Sequence, residues 1–311
     1  MSWRVAALIS FLAVCLAGCM TESVEIDESS GWPKKVRFAF TPDEEEPGRR
    51  EKVYVSVMDY LSEQVGVEME LVKTTQYGPV IEAMRARKIE MSNFSTFPYL
   101  IASKKAGAEA IIGRSNQDGS RRQSQSYIVV RGDSDIDTID ELIERKEEIR
   151  FAFVNPASTS GHLIPRYYLE QRGINPEQDF KELVFPGKQN ASILAIASGK
   201  VDAGAISKGV LIKLLRVGSL EKGDLKVIWE LPEYPSGAIS VRSDLPVDLK
   251  MAIQKAYLDL PDLDPDLNQS IKELSSQYLT NPQGDYIAVN DASFDGIRAL
   301  SGRIEGLKML E

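Results

Sequence analysis

Three consecutive hydroxyl residues, Ser158-Thr159-Ser160, stand between an apolar segment, Ile149-Arg150-Phe151-Ala152-Phe153-Val154, and a stretch over 162–172 with helical spacing. A strand that runs into a small polar loop and then opens a helix can hold an anion. The first backbone N–H groups of a helix lack intrahelical partners and carry the positive end of its dipole. Hydroxyls beside them add donors for oxyanion oxygens. Ser and Thr at a helix start also make ordinary caps, so the local sequence leaves two roles open, cap and anion cradle. Nothing nearby makes these hydroxyls nucleophiles. His162 is the single histidine, and it follows Ser158 too closely to be an independently oriented base, which argues against a serine hydrolase. Without a partner His or Cys in the folded part it is not a zinc ligand, and no metal or cofactor is expected. A packing or solvent-facing role fits His162 better than a ligand contact or a proton switch.

The elements that must position this loop alternate along the chain. Apolar alternation predicts strands over 35–42, 67–72, 89–94 and 108–114, with helices over 49–65, 77–87 and 98–106 between them. The pattern then repeats. Strands are expected over 127–130, 149–154, 180–185, 201–206, 225–229 and 238–241, with helices opening near Asp137 and over 162–172, 191–198 and 209–216, followed by a helical tail over 249–260 and 267–278. Such alternation is the signature of doubly wound α/β sheets. Two blocks of similar wiring suggest two lobes, with crossover strands near 126–130 and 229–240. Ligands of open α/β sheets sit at the carboxyl ends of strands. The segments 92–97, 158–161, 187–192 and 207–209 all follow strands and so converge on one cleft. That convergence favours the anion role for the hydroxyl loop. Asp202 is read as capping or orienting its neighbours, since a carboxylate beside an oxyanion is repelled. Glu44-Glu45-Glu46 and Arg121-Arg122 are read as solvated surface, with extra weight on Arg122 because it precedes a crossing strand.

The ends and the composition bound the setting. Met1-Ser2-Trp3-Arg4 leads into an apolar run over 5–16, shorter than the ~20 residues a membrane span needs. A basic start, a short apolar stretch and small residues describe an export signal. Leu16-Ala17-Gly18-Cys19 resembles the bacterial lipobox, in which Cys19 would be lipidated and become the new N-terminus. The chain has 2 cysteines, and Cys15 would leave with the signal, so no internal disulfide is expected. Residues 19–33 are acidic and small, with little to bury, and read as a tether. A net charge of -9 disfavours nucleic acid and an anionic membrane surface as partners.

Several segments together resemble the phosphate/phosphite/phosphonate-binding proteins of ABC importers, within the type II periplasmic binding fold. They are Thr75-Gln76-Tyr77-Gly78-Pro79-Val80, Asn155-Pro156-Ala157-Ser158-Thr159-Ser160-Gly161, Phe185-Pro186-Gly187-Lys188-Gln189-Asn190, Ala197-Ser198-Gly199-Lys200-Val201-Asp202, and the return crossover from Trp229 to Pro246. The resemblance covers the chain from about Lys35 to beyond Pro246. It implies a ligand held between Tyr77 on one side and Ser158, Thr159, Ser160 and Gln189 on the other, with Phe94, Ser126 and Lys188 as further contacts. Gln189 stands where the resemblance implies histidine, Asn190 where it implies aspartate, and Ser124 where it implies a second aromatic. Gln189 donates from its amide but cannot become a cation; Lys188 or Arg122 would supply the missing charge. Acidic residues able to hold an amino group have no clear match near Gly209 or Ser236, which argues against an aminoalkylphosphonate.

The expected fold class is α/β, a two-lobe type II periplasmic binding protein in which each lobe is a doubly wound mixed sheet joined by two crossover strands. Residues 1–18 would be a lipoprotein signal, 19–33 the tether, 34–126 with 238–311 lobe 1, and 127–237 lobe 2. The expected function is capture of a phosphate-like oxyanion, without catalysis, for an ABC permease. The protein would be exported, lipid-anchored and monomeric. A sensor subunit on the same fold, or a binding protein for another small organic anion, is the alternative.

Overall fold

The computed structural model describes residues 25–40, 47–74, 76–280 and 282–304. The expectations for residues 1–18, for Cys19 and for Glu44 to Glu46 lie outside the described residues. The strands are β1 (Lys35–Phe40), β2 (Glu68–Lys73), β3 (Met91–Phe94), β4 (Ala108–Asn116), β5 (Gln123–Ser124), β6 (Ser126–Arg131), β7 (Arg150–Ala152), β8 (Glu182–Val184), β9 (Ala203–Ser207), β10 (Leu225–Glu230), β11 (Tyr234–Pro235), β12 (Ala238–Arg242) and β13 (Gln283–Ala288). They form one sheet in the order β13-β4-β12-β3-β1-β2, a second in the order β10-β6-β9-β7-β8, and a separate β5–β11 pair. Apart from β13 the two sheets are wired alike. In each, the first strand lies between two parallel neighbours (β1 between β2 and β3, β7 between β8 and β9). In each, the next position is filled by an antiparallel strand that has just crossed from the other lobe: β12 beside β3 in lobe 1, β6 beside β9 in lobe 2. The fold is the two-lobe type II arrangement.

Burial explains the strand compositions. Ser126 through Val130 are all buried, as are all residues of β12, because helices cover both faces. One face of the first sheet packs Phe38, Leu61, Tyr257 and Leu260 under helices Pro47–Val65 and Val247–Leu263. Its other face packs Met84, Phe94, Phe97 and Tyr99 under Tyr77–Arg85 and Thr96–Ala106. The second sheet is covered by Ile139–Glu144 and Ile164–Gln171 on one side and by Gln189–Ala197 and Lys208–Arg216 on the other.

Two readings of the sequence change. The tail is not helical throughout: β13 pairs antiparallel with β4 and extends the first sheet. Its Gln283-Gly284-Asp285 start carries no apolar alternation, so tertiary pairing rather than local pattern makes it a strand. Within the segment read as a tether, residues 25–33 form a turn closed by the Asp27 carbonyl accepting from the Gly31 N–H at 2.8 Å, and Trp32 packs against the lobe 1 core.

Each lobe locks its first strand to its third with the same clamp at the end away from the cleft. Arg37 donates to Glu90 Oε2 from its backbone N–H and from Nε, each at 2.9 Å. Arg150 donates to Asp202 Oδ2 from its N–H at 2.8 Å and from Nε at 3.0 Å. Each guanidinium also caps the carbonyl of a left-handed residue, Arg87 (φ 60) or Gly199 (φ 72). The lobe 1 clamp is the deeper one. Glu90 is fully buried and takes a second cation, Arg242, at 3.1 Å, whereas the Arg150 and Asp202 side chains are each about a third exposed. Removing one partner of a buried pair strands the other charge. Glu90→Ala should therefore cost about 3 kcal/mol in urea unfolding, and Asp202→Ala about 1 kcal/mol. Equal losses in the two variants would refute the burial argument.

Candidate binding cleft

The hydroxyl loop is shaped by close packing. After Phe153 and Val154, the chain turns so that the Gly161 carbonyl accepts from the Val154 N–H at 2.8 Å. A Cβ on Gly161 would lie 2.2 Å from Val154 Cγ2, so only glycine allows this approach. Thr159–Leu163 forms one wide π-type turn before the α-helix Ile164–Gln171. The cap reading holds for one residue: Ser158 Oγ accepts from the Gly161 N–H at 3.0 Å.

The other two hydroxyl oxygens accept as well. Thr159 Oγ1 accepts from the Phe97 N–H of lobe 1 at 2.8 Å, which places the two lobes in contact here. Ser160 Oγ accepts from Gln189 Nε2 at 2.9 Å. Each oxygen is thereby oriented by a protein N–H, and each hydroxyl keeps its own proton to donate. Gln189 is held in turn by the Ser207 N–H, which donates to Oε1 at 3.0 Å and so fixes which end of the amide faces Ser160. Ser126 Oγ is buried and has no hydrogen-bond partner. Tyr234 is buried close to Ser126 and Ser160. Burial pushes this phenol up to about 12, so it stays a donor at neutral pH.

Ser126, Ser160, Gln189 and Tyr234 thus converge where β6 begins and β7, β8 and β9 end. Tyr77 lies across the cleft at the start of its helix, half-buried, with its ring 6.4 Å from that of Phe94. Phe94 is fully buried and supports Tyr77 by ring packing. Tyr77 and Phe94 line a cavity of about 290 Å³ on lobe 1, together with Arg50, Arg114, Arg122 and Ser124. A neighbouring cavity of about 260 Å³ shares Arg122 and Ser124 and is lined by Lys208 of lobe 2 and Tyr278 of lobe 1. Lys188 is exposed at the cap of Gln189–Ala197. Sequence reasoning missed Arg50, Arg114, Tyr234 and Ser236. They come from three separate stretches of the chain, carry no motif, and only the fold joins them.

His162 is buried, not solvent-facing. Its Nδ1 meets the Pro156 carbonyl at 2.9 Å, and its ring packs edge-on against Phe153 and Phe185 at 4.8 and 5.6 Å. Among the described residues no group of three or more His, Cys, Asp or Glu could hold a metal.

With this geometry in view, the comparisons with known proteins decide the family. The family model described as "ABC transporter, phosphonate, periplasmic substrate-binding protein" matches residues 38–285. The chain belongs to that family. Its members are binding components of transporters, not enzymes. Among curated relatives, the chain is 25% identical over 303 residues to the phosphate-import protein PhnD of Mycolicibacterium smegmatis, covering 94% of this chain and 92% of that one. It is 23% identical over 259 residues to the phosphonates-binding periplasmic protein of Escherichia coli, covering 83% and 75%. Among solved structures, PhnD1 of Prochlorococcus marinus in complex with methylphosphonate aligns with a TM-score of 0.72 at 20% identity, covering 87% of this chain and 98% of that one. The binding component of a phosphonate transporter from Pseudomonas aeruginosa aligns at 0.73 and 20%, covering 86% and 85%.

The buried histidine gives this family member a pH dependence. Burial holds His162 down to about 4 from its ordinary 6.5, against the Pro156 carbonyl and Glu177, which pull it up, and with a smaller push down from Arg166. The unfolded chain therefore takes up this proton near 6.5 and the folded chain only near 4. The contribution is complete above about pH 6.5 and is lost as pH falls toward 4. Between about pH 7.5 and about pH 4.5 the loss is about 2–3 kcal/mol. His162→Gln should lose that much less stability than the parent over the same range in urea unfolding. Parallel pH profiles for the two proteins would refute the assignment.

Proposed function

We propose that this family member captures a tetrahedral phosphonate- or phosphate-type oxyanion between its lobes and delivers it to an ABC permease. The observation that carries the reading is the set of oriented hydroxyls. Ser158, Thr159 and Ser160 each accept from a protein N–H and keep a proton for the ligand, and Ser126 Oγ is buried without a partner. Donors fixed before the ligand arrives lose little entropy on binding. Neutral donors also bind an oxyanion without burying a fixed counter-charge that would oppose its release. Gln189 keeps a second amide proton and holds Ser160 in place. The methylphosphonate complex of the Prochlorococcus protein and the phosphate-import role named for the mycobacterial relative support the ligand class.

The same reading places the protein outside the cytoplasm, tethered by a lipid on Cys19 and acting as a monomer. The Leu16-Ala17-Gly18-Cys19 sequence supports the anchor.

Calorimetry on refolded, ligand-free protein with phosphate, phosphite, methylphosphonate and hypophosphite tests the ligand class. At least one should bind, and Ser160→Ala should weaken it by about tenfold, the value of one hydrogen bond to a charged group. Absence of heat with all four anions would overturn the oxyanion reading. For the anchor, Cys19→Ser should abolish incorporation of labelled fatty acid and move the protein from the membrane to the soluble fraction. Continued labelling of the variant would exclude Cys19 as the acceptor.

A further inference from the structure

The cavity of about 290 Å³ on lobe 1 has three arginines in its wall, Arg50, Arg114 and Arg122, and no Asp or Glu. Two of these guanidiniums are held by neutral groups. Arg114 donates to the Tyr286 hydroxyl at 2.9 Å and lies 4.4 Å from the centre of that ring. Arg122 donates from Nη1 to Gln283 Oε1 at 3.2 Å, while its Nε is buried with no hydrogen-bond partner. Among the described residues several other part-buried or buried arginines meet carboxylates, while Arg121 donates to the Ser293 and Ser236 carbonyls. Arg37 and Arg242 meet Glu90, Arg150 meets Asp202, and Arg166 meets Glu170. Arg114 and Arg122 do not, and they repel each other. Burial first and Arg114 second pull Arg122 down to about 10. A concave pocket that gathers positive charge in a chain of net charge -9 attracts an anion there and discriminates against a cation.

The hinge strands measure the distance from this pocket to the hydroxyls. Ser124 and Ser236 lie against the arginines, their hydroxyls 2.8 Å apart. Ser126 and Tyr234 each stand two residues along the same segments, beside Ser160. Positions two apart on extended chain are separated by roughly 7 Å. One small molecule spans that distance when about two or three carbons separate its two charged ends.

We propose that the ligand is an organophosphonate or phosphate monoester bearing a second anionic group, with its head on the lobe 2 hydroxyls and its second anion on Arg114 and Arg122. The proposal rests on the oxyanion reading above and narrows it. The test is calorimetry with methylphosphonate, 2-aminoethylphosphonate and 3-phosphonopropionate. The third should bind about tenfold more tightly than the first, the size of one charge-assisted contact, and the amine should bind more weakly than the first. Arg122→Gln and Arg114→Gln, checked for folding by thermal melts, should each remove most of the preference for the dianion. Equal affinity for methylphosphonate and 3-phosphonopropionate would overturn the proposal, as would tightest binding of the amine. So would a loss in Arg122→Gln that is equal for both ligands, since that places the head itself on the arginines. The parent comparison needs no variant. Binding of methylphosphonate alone leaves the oxyanion reading intact while the dianion proposal fails.

Discussion

The chain passes between its lobes twice, and the site depends on how those passages pair. Each passage carries a short strand, β5 outward and β11 on return, and the two lie antiparallel with Tyr234 opposite Ser124. Backbone bonds continue the pairing beyond them: the Ser126 carbonyl accepts from the Leu231 N–H at 3.0 Å, and the Arg122 carbonyl from the Ser236 N–H at 3.1 Å. A single tether would let the lobes swing freely, whereas a two-stranded ribbon restricts them mainly to bending. The ribbon also carries Arg122, Ser124, Ser126, Tyr234 and Ser236. Polar groups from both lobes therefore converge on the part of the molecule that moves least when the lobes move apart.

Convergence at a hinge is useful only if each lobe is rigid, and the paired clamps supply that rigidity. Arg37 with Glu90 and Arg150 with Asp202 occupy equivalent places in two sheets wired alike. Each ties the first parallel strand to the third at the end opposite the cleft, so the strand ends that face the ligand are fixed relative to one another. The two lobes differ in where the chain enters them. β12 and β6 are swapped between lobes, and that exchange makes two sequential passages unavoidable.

Much of this was legible in the sequence. Apolar alternation located most strands and helices to within a few residues, and small polar runs after strands marked loops that the fold brings together. The Ser158-Thr159-Ser160 loop was visible because hydroxyls at a strand-to-helix junction are a local pattern. The arginine cavity was not. Arg50 opens one helix, Arg114 sits in β4 and Arg122 follows it at the hinge, so their meeting is a product of tertiary packing. β13 was hidden for a related reason, since only its partner β4 makes Gln283-Gly284-Asp285 extended. His162 was legible as a packing residue but not as a deeply buried one, because Phe153 and Phe185 reach it from separate loops. Tyr234 was silent because a lone tyrosine after Pro232-Glu233 has no periodicity to report its burial.

The division of chemistry between the lobes bears on how such a clamp works. Lobe 2 offers oriented neutral hydroxyls and lobe 1 offers guanidinium charge. A ligand shifts an opening equilibrium only by the difference between its affinities for the closed and open arrangements. An anion satisfied by the hydroxyls alone would bind lobe 2 about equally well with the cleft open or shut, and would leave closure to the Thr159–Phe97 contact. An anion that also needs the arginines gains its lobe 1 contacts only on closure, because Arg50 and Arg114 belong to that lobe. The same split limits the affinity. When the lobes part, the charged contacts go first, and the head is left on donors that water replaces easily. On the two-anion proposal charge governs closure and geometry governs retention, so a chain that must release its ligand to a permease gains by keeping the two on opposite sides of the cleft.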